Sequence, residues 1–170
     1  MKQITKFFVI AVALIAFSVT TYAQVTATAN ASATIVSPIA ILKVLDMNFG
    51  NVASSAALGT VVLTPASTRS STGGVTLPAT AGTVTAASFT VTGTAGYTYA
   101  ITLPVAALTI TSGGPSMTVD TWTSNPTPTG TLVGGTSTLT VGATLHVGAN
   151  QASGVYGILA ETFSVTVNYN

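Results

Sequence analysis

Glu161-Thr162-Phe163-Ser164-Val165-Thr166-Val167-Asn168-Tyr169-Asn170 is the run whose reading decides the fold. Apolar side chains recur at every second position. A strand repeats every two residues, so Phe163, Val165, Val167 and Tyr169 share one face, and Thr162, Ser164, Thr166 and Asn168 share the other. Upstream, Gly157 stands fourteenth from the C-terminus.

The same pattern continues back through the chain. Alternating or apolar runs at Ala31–Val36, Ile39–Leu42, Met47–Gly50, Gly59–Leu63 and Val75–Leu77 read as short strands. Pro38, Pro65 and the pair Gly73-Gly74 punctuate them as stops or turns. Ser88–Thr92 and Tyr97–Leu103 flank Gly93-Thr94-Ala95-Gly96, which predicts a hairpin. Met117–Thr123, Thr131–Val133, Ser137–Val147 and Gly154–Tyr169 complete the set, with Asn125–Gly130 a proline-rich loop. No helix is predicted. Strands at this spacing, separated by Gly/Pro turns, indicate an all-β protein, an antiparallel β-sandwich of the immunoglobulin-like or pilin-like kind.

The N-terminus predicts export. Lys2 and Lys6 precede an apolar run from Phe7 to Phe17, and Thr21-Tyr22-Ala23 places small residues where a signal peptidase reads. We therefore expect residues 1–23 to be a signal peptide and the apolar run to be too short for a comfortable membrane span. Residues 24–34 are expected to be an N-terminal extension, and residues 35–170 a single β-sandwich domain. The chain has no cysteine, so it has no disulfide framework and no lipid-modified cysteine.

Beyond residue 23 the charges are Lys43 and Arg69 against Asp46, Asp120 and Glu161, a net of −1 with His146 neutral. No basic stripe exists, which argues against a nucleic-acid partner. Only 4% of the chain is charged, against about 25% in ordinary soluble domains. Threonine takes the place of charge, with 33 residues alternating mostly with aliphatic ones. Its β-branch suits a strand, and its hydroxyl keeps a half-exposed face wet. A nearly neutral surface gives little protection against self-association, which suits a protein packed into a polymer.

The chemistry-bearing residues are few. His146 is the single histidine and reads as the polar face of a strand, so no histidine pair can hold a metal. Asp46, Asp120 and Glu161 are scattered, and no nucleophile-elbow motif appears. The sequence predicts no catalytic, cofactor or metal site. Lys43 and Arg69 read as surface charges. Trp122, with Asp120 and Asn125, is a candidate sugar-stacking site beside the Pro126/Pro128 loop, set against a tryptophan packed between the sheets.

Two resemblances follow from these residues. The glycine at 157, the alternating last strand and the penultimate Tyr169 resemble the C-terminal signature of bacterial chaperone–usher pilus subunits. More widely, the chain resembles domain-of-unknown-function family 4402, a group of secreted bacterial domains. That match runs through Met47-Asn48-Phe49-Gly50, Thr72–Val75, Phe89–Gly93, Tyr97–Pro104, Gly130-Thr131-Leu132, Val141–Leu145, Gln151–Gly154 and Val165–Asn170.

The pilin resemblance implies an edge first held by a periplasmic chaperone and an outer-membrane usher, then filled by a neighbouring subunit. Such assembly needs a donated extended segment. Val25, Ala27, Ala29, Ala31 and Ala33 alternate with period two in residues 24–33 and form the candidate donor strand. The expected interface is that segment with Gly157, Phe163, Val165, Val167 and Tyr169. The sequence thus predicts a secreted, self-associating fibre subunit acting in adhesion, with no membrane span in the mature chain. The alternative is a monomeric surface sandwich binding carbohydrate or protein through its loops.

Overall fold

The alternating Thr/Val/Ala/Leu runs become ten strands. They are β1 (Ala40–Leu45), β2 (Ala53–Leu63), β3 (Arg69–Thr76), β4 (Ala87–Thr92), β5 (Thr98–Thr102), β6 (Leu108–Thr111), β7 (Ser116–Asn125), β8 (Thr129–Thr131), β9 (Thr136–Val147) and β10 (Thr166–Tyr169). The computed structural model describes residues 23–157 and 161–170, and no helix occurs among them. Residues Ile35–Asn170 form one compact unit. Nearly all of the expected signal segment lies outside the described residues, as do residues 158–160 of the expected last strand.

Every pairing between strands is antiparallel. Seven strands make one sheet in the order β1-β4-β9-β2-β3, with β7 also on β9 and β6 beyond it. Three short strands, β10-β5-β8, make the second. The fold is an all-β antiparallel sandwich of very unequal sheets. β9 organises it: its first half pairs with β4 (Ala87↔Val141), its second half with β2 (Thr60↔His146), and its other side with β7 (Val119↔Leu145).

The core divides accordingly. One cluster joins Val91, Leu139 and Val141 of the large sheet to Tyr99, Leu132 and Val167 from the small sheet's side. A second cluster, Val61, Val75, Val119, Ala143, Leu145 and Val147, comes from the large sheet alone. Side chains from connecting segments and edges, such as Met47, Phe49 and Trp122, pack against it in place of a facing strand. The small sheet therefore covers only part of the large one's apolar face, and the sandwich is left incomplete there. On the outer face a row of Thr109, Thr118, His146, Thr60 and Thr72 crosses five strands.

Several expectations change. Gly93–Gly96 reverses the chain, but β4 and β5 belong to different sheets, so the turn is a corner between sheets and not a hairpin. A turn signal fixes a reversal, not a pairing partner. Gly73 and Gly74 lie inside β3 beside an irregularity in its pairing with β2, and do not end the strand. Residues 31–36 form no strand, and Met47–Gly50 contributes one bridge, Asn48 to Thr85. The last strand makes ladder bonds only over Thr166–Tyr169, although its in–out alternation extends back to Phe163.

Candidate functional site

Strand β10 pairs with β5 through Val167↔Ile101 and Tyr169↔Tyr99, and it ends its sheet. Its other main-chain edge takes part in no ladder among the described residues. Phe163, Val165, Val167 and Tyr169 all face inward onto the first core cluster, as the period of two requires. Phe163 reaches further. Its ring sits 6.5 Å from Phe89, edge-on, and 4.5 Å from Trp122.

Beside this strand lies a groove of about 1230 Å³. Met47, Phe49, Leu108, Ile110, Trp122 and Phe163 are among the residues that line it, where the small sheet fails to cover the large one. Gly157 borders the groove and leads toward β10 with φ +84°, a conformation that side chains with a Cβ rarely adopt. Its N–H bonds to the carbonyl of Thr111 at 3.0 Å.

The penultimate tyrosine is a tie. Its hydroxyl donates to the carbonyl of Ser37 (2.8 Å) and accepts from the N–H of Thr94 (2.7 Å). Its ring packs edge-on to Tyr97 at 5.6 Å. Gly93 makes this approach feasible, because a Cβ there would occupy the space of the Tyr169 hydroxyl. One side chain thus joins the lead-in to β1, the β4–β5 corner and the last strand.

The candidate sugar-site residues are not brought together. An irregularity between Asp120 and Thr123, with Thr121 at φ +51°, shifts the register of β7 on β9. Trp122 packs inward against both core clusters, and its Nε1 donates to the carbonyl of Ala106 at 3.4 Å. Asp120 lies with His146, whose Nε2 is 2.8 Å from its Oδ1, while Asn125 ends the strand, exposed. The hydrogen bond to His146, and then that from Thr121, hold the Asp120 carboxyl below its ordinary value. Among the described residues no group of three or more His, Asp or Glu side chains could hold a metal ion.

Arg69, which the sequence presents as a simple surface charge, is instead half-buried, and its Nη1 donates to the carbonyls of Phe49 (2.6 Å) and Asn51 (2.7 Å). It thereby fixes the segment that forms one wall of the groove. Nothing in the local sequence signals that role, because the two carbonyls lie 20 and 18 residues away. Val25, Ala27, Ala29, Ala31 and Ala33 lie in a segment that forms no strand, and all five are exposed.

These features define an antiparallel sandwich with an open last edge and a partly uncovered core. The chain belongs to the family described as "Domain of unknown function (DUF4402)", matched over residues 39–169. No curated protein and no solved structure matches it significantly. Among the described residues no helix is long and apolar enough to cross a membrane.

Proposed function

We propose that this chain is a secreted structural subunit of a cell-surface fibre, assembled by strand addition at the edge of β10. Residues 24–33 of one copy lie along Phe163–Tyr169 of the next and extend over the groove. The observation that carries the reading is the coincidence of that ladder-free edge with an apolar face that the three-stranded sheet leaves uncovered. An added strand would bond to the β10 backbone and cover that face with alternate side chains.

The donor segment has the reach. Ten residues span roughly 33 Å, against roughly 23 Å for the seven from Phe163 to Tyr169. Its knobs are a valine and four alanines, each worth less than the ~1.5–3 kcal/mol of a buried leucine. Main-chain bonds therefore carry most of the association, and the larger side chains come from the acceptor. A chaperone that holds the edge before assembly fits this reading, and catalysis has no part in it.

The test is size-exclusion with light scattering on three proteins: residues 24–170, residues 34–170, and residues 24–170 with Gln24–Ala33 repeated after Asn170 through a flexible linker. The reading expects polymers from the first, none from the second, and a heat-stable monomer from the third. Three equally monomeric, equally stable samples would mean a closed fold and would discard strand addition.

A further inference from the structure

The seven-stranded sheet has three free edges, and the chain treats them differently. β3 offers a polar run, Arg69-Ser70-Ser71-Thr72, followed by two glycines. β6 is covered by the segment after Gly154: the Gly157 N–H bonds to the Thr111 carbonyl, and the Glu161 carboxylate accepts from both the N–H and the hydroxyl of Thr111. β1 has neither protection. Its Leu42, Val44 and Leu45 are 71%, 54% and 51% exposed. Natural sheets blunt such edges with charge, proline, bulges or a covering segment, because an apolar edge templates further pairing.

The bulge in β1 restricts what can pair there. Register shifts between Lys43 and Leu45, which leaves Val44 as the extra residue opposite β4. A regular strand does not match that kink. A second copy related by a two-fold axis carries the same kink at the same place. The charges choose the register: Lys43 and Asp46 flank Val44 and Leu45, and both are exposed, at 57% and 79%.

We infer that β1 is an isologous pairing edge, joining two copies of this chain antiparallel about an axis between Val44 and Leu45. In that register Val44 faces the partner's Leu45, Lys43 faces the partner's Asp46, and Asp46 faces the partner's Lys43. The 2.7 Å ion pair within each chain becomes a four-charge ring across the axis. This pairing uses an edge of the large sheet and does not rest on strand addition at β10.

A charge-swap mixture tests it. Lys43→Glu sets two like-charge pairs across the axis, and Asp46→Lys does the same with the opposite sign. Mixed one to one, the two variants restore opposite charges at both positions. Sedimentation equilibrium of the exported chain should show a dimer for the wild type. Each variant alone should dissociate about tenfold more readily, and the mixture should return to within about threefold of the wild type. Because the mixture is made of the two variants themselves, its recovery also shows that both are folded. A monomeric wild type, variants that dimerise as well as the wild type, or a mixture no tighter than its components would each overturn the inference. Polymers that grow through residues 24–33 would be indifferent to both substitutions, so the two assembly modes fail separately.

Discussion

Tyr169 and Gly93 form a coupled pair, and their double-mutant cycle tests how the last strand is held. Tyr169→Phe keeps the ring and removes the hydroxyl that bonds Ser37 and Thr94. At about 0.5–1.5 kcal/mol for each bond, the loss is about 1–3 kcal/mol. For a domain of this size that lowers the thermal midpoint by roughly 3–9 °C. Gly93→Ala drives a methyl into the space held by the hydroxyl, with Leu132 Cδ1 only 2.9 Å away. Overpacking and the displaced hydroxyl together cost about 2–4 kcal/mol. In the Tyr169→Phe background the two hydrogen bonds are already gone, so Gly93→Ala should cost about 1–2 kcal/mol less than it does alone. Urea unfolding followed by the fluorescence of Trp122, the single tryptophan, reads all four proteins. Costs that add within about 0.5 kcal/mol, or a Tyr169→Phe protein as stable as the wild type, would refute the tie.

Two further outcomes are expected. Arg69→Met releases the carbonyls of Phe49 and Asn51, and should lower unfolding free energy by about 1.5–3 kcal/mol in urea titrations, with Arg69→Lys recovering part of it. Asp120 has a depressed carboxyl pKa, so its contribution is present above the ordinary value of 3.8 and is lost as pH falls through the lower folded value. Asp120→Asn should therefore be slightly less stable than the wild type at neutral pH, by under about 1 kcal/mol at so exposed a pair, with the gap closing in acid unfolding curves.

Much of the fold was legible because strand chemistry is local. Period-two runs mark the middle of β2, β4, β7 and β9 and orient their inward residues, and the facing of Phe163, Val165, Val167 and Tyr169 follows from spacing alone. Less legible were features that depend on a distant partner. Gly93–Gly96 announces a reversal, yet which sheet takes β5 is settled by β10, some 65 residues on (Val167↔Ile101). β6 is four residues long and gave too little pattern to find. Trp122 turns inward because Thr121 adopts φ +51°, a local irregularity that no residue type in the run demands. The tie at Tyr169 depends on contacts 75 and 132 residues away, so the sequence could mark the tyrosine as unusual but not say what it holds.

The outer row of Thr109, Thr118, His146, Thr60 and Thr72 has a consequence for the medium around the protein. Salt acts on a surface chiefly by screening charge, over about 8 Å at physiological ionic strength and about 3 Å at 1 M. This row offers that screening one imidazole and otherwise hydroxyls, whose bonds to water do not weaken as ions are added. The wetting of this face should thus be much the same in dilute water and in brine. The same economy leaves a narrow margin: threonine and valine have nearly the same shape, so a few such exchanges along the row would turn a hydrated face into a greasy one without disturbing the strands beneath it.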